Sequence, residues 1–245
     1  MKHVGIILAG GSGNRLKSVT QDKALLRIGA GAVISWSVVV FHQAGLFDEL
    51  VIVHRNEEQK TKIKGELKQC LKESLPIKWV TGGARRQDSV MNALRMINDS
   101  EKVVFVHDSA RPFITPQDLQ NLSRAVSKTG AATMATKVTD TIKQADRTGD
   151  LENLQLEDLN RDTLYAMATP QVFKTKNLLE AYEQIEDLEK EVTDCVAAYQ
   201  LEKRGVSLVL PQQNNFKITN PEDVELANFL IHTGSIQKVF ELAYS

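Results

Sequence analysis

A doubly wound α/β fold on a mostly parallel sheet is what this 245-residue sequence predicts, and three observations predict it. Short apolar runs alternate with amphipathic stretches of helical length, the rhythm of strand–helix–strand units. The first run, Val4-Gly5-Ile6-Ile7-Leu8, passes directly into a glycine-rich loop, Ala9-Gly10-Gly11-Ser12-Gly13-Asn14-Arg15. Polar and charged residues then collect just after successive runs, where ligands of open α/β sheets sit.

The elements follow in order. Residues 4–8 are apolar or small without interruption, the mark of a strand covered on both faces. Residues 32–45 read as a buried helix, with Gly45 available to end it. A second buried strand is expected at 50–53, followed by an amphipathic surface helix over 56–73 with Ile63, Leu67 and Leu71 on its apolar stripe. Residues 77–80 give a third strand, and Asp88 is the expected N-cap of a helix containing Val90, Ala93, Leu94 and Ile97. The fourth strand is 103–106. Thr115 then caps a helix over 116–128 with Pro116 at its first position, and 131–137 returns as a strand.

The rhythm breaks between 138 and 168. Thr141-Ile142-Lys143 is strand-like, Asp146 to Asp150 form a turn, and weakly patterned polar residues continue to Arg161. So long a segment is an excursion from the sheet. With few apolar residues of its own it needs a surface to lean on, and a second subunit is the obvious one. Helices return at 175–187 and 191–204, a strand at 206–210, and a helix opening at Pro221.

Composition excludes several classes. The chain is 42% hydrophobic and 25% charged, with a formal charge of −1, and lacks the basic excess of a nucleic-acid binder. Cys70 and Cys195 are too few and too far apart for a disulfide framework or a zinc site, which points to a reducing, cytoplasmic setting. No apolar run approaches the roughly 18 residues of a spanning helix, so no membrane partner is expected.

The glycine loop exposes backbone N–H groups at Gly10, Gly11 and Gly13, with Arg15 and Lys23 close behind. Such a cradle suits a polyphosphate whose charge must be neutralised. It is not a Walker-A loop, since Asn14-Arg15 stand where Lys-Ser/Thr is required. It is not a dinucleotide fingerprint either: Leu16 replaces the third glycine, and the second strand runs into His54-Arg55-Asn56 without the ribose-binding acid. On this stretch alone, a turn that merely reverses the chain stays open beside the phosphate loop.

Asp108 directly follows the fourth strand and is a candidate Mg²⁺ ligand, because Mg²⁺ takes one or two carboxylates plus phosphate oxygens. An ion pair with Arg111, or a capped turn, is the competing reading. His107 reads as a packed strand-end residue without a role. Gly82-Gly83 permits close backbone approach, and Ser89 is placed to bond a base or ribose; an αL turn capped by Asp88-Ser89 explains the same residues. One of Arg85 and Arg86 is expected to touch ligand. Lys217 follows the 206–210 strand and reaches toward the same crevice, unless it is a plain solvated lysine.

Seven motifs in register carry a resemblance. They are Leu8 to Arg15 with Lys23; Gly82-Gly83-Ala84-Arg85-Arg86-Gln87-Asp88-Ser89-Val90; Val106-His107-Asp108-Ser109-Ala110-Arg111-Pro112; Val138-Thr139-Asp140-Thr141-Ile142-Lys143; Ala168-Thr169-Pro170-Gln171-Val172-Phe173; Thr193-Asp194; and Asn215-Phe216-Lys217 through Asp223. Together they span nearly the whole chain, which resembles the 2-C-methyl-D-erythritol 4-phosphate cytidylyltransferases. The resemblance implies a Rossmann-like fold of the nucleotide-diphospho-sugar transferase type, one domain over 1–245 with 138–168 as a protruding β-arm. It implies transfer of CMP from CTP to methylerythritol phosphate, with release of pyrophosphate, in non-mevalonate isoprenoid synthesis.

By the family pattern, Arg15, Lys23 and Lys217 act on the reacting phosphates and Asp108 holds Mg²⁺ or another divalent cation. Leu8, Ala9, Gly10, Gly11, Ser12 and Gly13, with Gly83, Ala84 and Ser89, hold CTP. Arg111, Thr169 and Thr193 line the acceptor pocket. The pattern also implies a homodimer in which Thr141 and Arg161 bind the acceptor phosphate of the partner's site. Three departures stand out: Asp22 and Ala24 replace the Pro and Gln that usually flank the lysine, and Cys195 replaces an acid after Thr193-Asp194. The interval from Arg15 to Lys23 is similar to that of ribitol 5-phosphate cytidylyltransferases, which keeps that acceptor as the alternative. A catalytically impaired nucleotide-binding or scaffold protein is the third reading, motivated by Asp22 and Cys195.

Overall fold

The computed structural model describes residues 2–11, 22–71, 75–149 and 151–236. The central sheet has seven strands: β1 (His3–Leu8), β4 (Glu49–His54), β5 (Ile77–Thr81), β6 (Val103–Asp108), β7 (Ala131–Lys137), β10 (Tyr165–Lys174) and β11 (Ser207–Val209), in the spatial order β11-β7-β10-β6-β1-β4-β5. β1 pairs in parallel with β4 on one side and β6 on the other. The chain therefore grows outward through β4 and β5 and then returns across β1 to β6. That reversal opens a crevice at the carboxyl ends of β1 and β6. A short ribbon of β2 (Arg27–Ile28) and β3 (Gly31–Ala32) follows the first loop.

Side-chain alternation divides the core into two layers. Val4, Ile6, Val51, Val53, Val104 and Val106 face one layer, while Ile7, Leu50, Ile52, Val103 and Phe105 face the other. Successive strand residues point to opposite faces, so uninterrupted apolar runs are what a doubly covered sheet requires. One layer is closed by α1 (Val33–Gln43), α2 (Glu57–Cys70), α4 (Pro116–Thr129) and α7 (Pro221–His232), the other by α3 (Arg86–Leu94), α5 (Thr175–Asp187) and α6 (Cys195–Tyr199). α1 is buried continuously from Val33 to Phe41, and Gly45 adopts φ +63° just beyond its end, as expected of a helix-stopping glycine.

Most expected elements are present; the main differences lie in α3, α6 and β10. Asp88 is not an N-cap: Arg85 holds that position, and Asp88, at the third helical position, accepts the Arg85 backbone N–H at 2.9 Å. α3 ends at Leu94, so Ile97 packs from the following turn. The 191–204 helix is shorter than its apolar pattern suggests. Asp194 caps α6 by accepting from the Ala197 N–H at 2.8 Å, and a single 3-10 turn, Gln200–Glu202, follows.

The largest difference is β10. Its ten residues run antiparallel between β6 and β7, where the sequence reading placed the end of the excursion. Pro170 hid it, because a proline inside an apolar run argues against a central strand. Pairing with β7 shifts register between Met167 and Gln171, which spares the missing proline N–H a place in the ladder. Sheet pairing thus resumes at Tyr165, opposite Lys137, and the excursion closes three residues before 168. Within it, β8 (Lys143–Ala145) and β9 (Leu156–Asp158) form a separate antiparallel ribbon with exposed side chains.

β1 and α1 meet at Gly5, where an added Cβ would lie 2.5 Å from Leu50 Cδ2 and 2.7 Å from Phe41 Cδ1. Gly5→Ala is expected to destabilise the fold by about 1–3 kcal/mol through overpacking, read as a lower urea midpoint at unchanged slope.

Candidate active site

A cleft of about 670 Å³ opens at the carboxyl ends of the parallel strands. Leu8, Ala9, Gly10 and Gly11 border it from the end of β1, and Val53 and Arg55 from β4. Gly83, Ala84 and Arg85 come from the turn after β5, Arg86 and Ser89 from the start of α3, and Asp108, Ser109 and Ala110 from the end of β6. Lys23, Ala24 and Lys217 complete it. Residues remote in sequence therefore share one surface because each follows a strand of the same sheet.

Asp108 is its electrostatic centre. The carboxylate accepts from Lys217 Nζ at 2.6 Å through Oδ2 and from Arg86 Nη2 at 3.3 Å through Oδ1. Burial alone would raise its pKa, yet the charges of Arg86 and Lys217 hold it well below the usual carboxylate range. Burial likewise opposes the charge on Arg86, and the Cys195 sulfur and Asp108 outweigh it, leaving the guanidinium more basic than usual. Arg86 Nη1 lies 3.4 Å from Cys195 Sγ, so one side chain ties the end of β6 to the start of α6.

The turn after β5 is built by packing. Gly83 does not adopt a left-handed conformation, which removes the αL-turn reading. Its glycine is required because a Cβ would stand 2.3 Å from Asp88 Cβ. Ser89 Oγ accepts the Gly83 N–H at 3.0 Å and donates to the Arg85 carbonyl at 3.2 Å. Arg85 is exposed and paired with Asp88, so Arg86 is the arginine that turns toward the crevice centre.

Beneath Asp108 runs a buried hydrogen-bond chain. The Asp108 N–H donates to Thr169 Oγ1, Thr169 Oγ1 lies 3.1 Å from His107 Nδ1, and His107 Nε2 lies 3.1 Å from the Arg111 carbonyl. A carbonyl only accepts, so Nε2 carries the imidazole hydrogen and the Thr169 hydroxyl donates to Nδ1. Arg111 Nη1 in turn donates to the Asn215 carbonyl at 3.1 Å, two residues before Lys217.

Of the residues singled out from sequence, Leu8, Ala9, Gly10, Gly11, Lys23, Gly83, Ala84, Ser89, Asp108 and Lys217 border the one cleft. Ser12, Gly13 and Arg15 lie outside the described residues. Arg111 and Thr169 do not border the cleft but support Asp108 from below. Thr193 is exposed beside the Asp194 cap, and Thr141 and Arg161 are exposed on the excursion, where Arg161 Nη1 donates to the Thr139 carbonyl. Sequence reasoning missed Arg55, weighed only as an absent acid, and left Arg86 undistinguished from Arg85. The available signal was position: each lies within a few residues of a strand end. Among the described residues no group of three or more His, Cys, Asp or Glu side chains could hold a metal, and no helix is long and apolar enough to cross a membrane.

A mostly parallel sheet with lysines and a clamped carboxylate at one rim fits a nucleotidyltransferase, and the family match shows that class. The model of the family described as 2-C-methyl-D-erythritol 4-phosphate cytidylyltransferase (IspD) matches residues 3–233. The chain belongs to this family. A relative of that name from Bacillus velezensis is 34% identical over 96% of this chain and 98% of its own. One from Prochlorococcus marinus is 31% identical over 92% and 97%. The structure of 4-diphosphocytidyl-2C-methyl-D-erythritol synthase from Anaerococcus prevotii superposes with a TM-score of 0.81 at 26% identity, over 94% of this chain and 96% of that one. The Thermus thermophilus cytidylyltransferase gives 0.75 at 25% identity, over 95% and 100%.

Burial pushes His107 down from 6.5 to about 4, and burial lowers His54 as well. Between those two values the unfolded chain binds a proton that the folded His107 refuses, so stability falls as pH falls through that window. Urea midpoints in chelator-containing buffer are expected to decline from about pH 6.5 to about pH 4, and less steeply in His107→Gln. Parallel profiles for the two proteins would contradict the assignment to His107.

Proposed function

We propose that this chain transfers CMP from CTP to 2-C-methyl-D-erythritol 4-phosphate, giving 4-diphosphocytidyl-2-C-methyl-D-erythritol and pyrophosphate, with the cleft described above as its active site. The observation that carries the residue roles is the meeting of Lys23, Arg86, Asp108 and Lys217 beside the backbone loop of Ala9 to Gly11. An oxygen of the acceptor phosphate attacks the α-phosphorus of CTP, and the bond from that phosphorus to the bridging oxygen of the β-phosphate breaks. A phosphate monoester is already anionic near neutral pH, so no side-chain nucleophile is needed. What the protein must supply is alignment and neutralisation of two anions.

In this reading the backbone at Gly10 and Gly11 cradles the triphosphate, and Gly83, Ala84 and Ser89 contact the nucleoside. Arg15 and Lys23 offset charge building on the α-phosphate, and Lys217 bridges it to the acceptor phosphate. A lone carboxylate suits a cation that arrives on the nucleotide, since Mg²⁺ is commonly held by one or two carboxylates and phosphate oxygens. Asp108 would hold such an ion, which when bound screens the phosphate charges. Arg111 is assigned to the acceptor pocket by the family pattern; it lies behind Asp108, outside the cleft lining, with its Nε buried. Thr169 and Thr193 would line that pocket with it, and Thr141 and Arg161 would serve the partner's site in a homodimer.

The test is pyrophosphate release by purified protein with Mg²⁺ and CTP, offered methylerythritol phosphate or ribitol 5-phosphate. Turnover with the first alone is expected; turnover with the second alone would move the acceptor assignment. Lys23→Ala and Lys217→Ala are each expected to lower kcat by about two to three orders of magnitude with the fold intact by circular dichroism. Near-parental turnover in either variant would remove that lysine from the mechanism.

A further inference from the structure

Lys23 enters the cleft on a short 3-10 turn, Lys23–Leu25, and the residue before it is anchored from three directions. Asp22 Oδ1 accepts the Ala24 N–H at 3.1 Å, capping the turn. Asp22 Oδ2 accepts from Arg55 Nη2 and from Gln59 Nε2, both at 2.7 Å. Gln59 is buried; its Nε2 also donates to the Ala9 carbonyl at 2.9 Å, and its Oε1 accepts the Arg55 N–H at 2.5 Å. Both amide hydrogens and the amide oxygen of Gln59 are thereby used. Ala9 follows β1 and Arg55 follows β4, so the carboxylate beside Lys23 is pinned to the two strand ends that frame the loop.

We infer that Asp22 is a positioning residue for the reaction: through Arg55 and Gln59 it fixes the Lys23 backbone relative to the glycine loop. The inference rests on the reading of Lys23 as the cation at the reacting phosphate. An exposed ion pair would contribute little, but this one is different in kind. The Asp22 side chain is only 10% exposed, and its second partner is a buried amide that also holds the loop. Neither contact joins Asp22 to the Lys23 ammonium; the carboxylate spends its charge on Arg55 and its geometry on the turn.

The backbone supplies the control. Asp22 sits at φ −61° and ψ 124°, and a proline ring fixes that φ unaided. Asp22→Pro therefore removes the carboxylate while keeping the entry to the turn stiff. Asp22→Asn keeps an oxygen for the Ala24 N–H and loses the charge facing Arg55.

Steady-state kinetics of the full chain with CTP, methylerythritol phosphate and Mg²⁺ test the inference, alongside thermal melting. Asp22→Ala is expected to lower kcat by about 10- to 100-fold, with both KM values within about threefold, because a shift of about 1 Å in a reacting group has this cost. Asp22→Pro is expected to regain about tenfold of that loss, and Asp22→Asn to fall between Ala and the parent. Added to Lys23→Ala, Asp22→Ala should cost nothing further. Parental kcat in Asp22→Ala, or an undiminished loss in the Lys23→Ala background, would overturn the inference. If Asp22→Ala fails to fold, Asp22→Asn with parental kcat overturns it equally. Parental turnover in Lys23→Ala alone would instead refute the role of Lys23, so the two failures are told apart.

Discussion

A carboxylate held ionised at the rim of a parallel sheet, against the burial that disfavours its charge, is the constraint on which the rest of this structure turns. Asp108 is kept in that state by Arg86 on one oxygen and Lys217 on the other. Neither cation is near it in sequence, so both must be delivered by the fold: Arg86 by the first turn of α3, and Lys217 by the segment that follows β11. The reversal of strand order at β1 and β6 creates the crevice, and the uncovered strand ends let side chains from both halves of the sheet reach it. Helices and core exist, from the standpoint of the site, to hold those few charges at contact distance.

That arrangement also explains the strain between stability and function. Two cations beside one carboxylate leave a net positive rim in the absence of ligand, and a half-buried guanidinium facing a half-buried carboxylate is weak evidence of stabilisation. The excess charge makes sense when an anion is expected. Phosphate oxygens entering the cleft meet Lys217 in exchange for its contact with Asp108, and meet Lys23 and the loop backbone beside it. Asp22 is paired with Arg55, and Asp223 feels the charge of Lys23.

Much of this was legible in the sequence, for physical reasons that can be named. Buried parallel strands such as β1 and β6 are uninterrupted apolar runs, and a residue placed immediately after one, like Asp108, is located by that fact alone. Thr115-Pro116 and Gly45 marked helix ends because capping and positive φ are local chemistry. What stayed hidden was non-local. β10 is a strand because β6 and β7 pair with it on both sides, and Pro170 masked that. Asp88 looks like a cap from its neighbours, but its carboxylate accepts the Arg85 N–H from the third helical position, and Gly83 is what lets the preceding turn pass close to Asp88 Cβ. Arg86 could not be told from Arg85 by spacing; the distinction is made by Asp108, twenty-two residues away.

Cys195 follows from the same logic. It stands where the family pattern has an acid, and it lies fully buried, accepting from Tyr182 and from Arg86. A carboxylate at this position would compete with Asp108 for a single guanidinium and would itself require desolvation beside Asp194. The Cys195 sulfur accepts from Arg86 and from Tyr182, and Arg86 keeps its contact with Asp108. Its backbone N–H is satisfied by Gln171 Oε1 at 2.9 Å, and Gln171 Nε2 donates to Asp194, so β10, α6 and Arg86 remain joined without a second ion pair. Cys195 thus holds Arg86 at the start of α6 while Arg86 still reaches Asp108, so a departure in sequence need not be a departure in reaction.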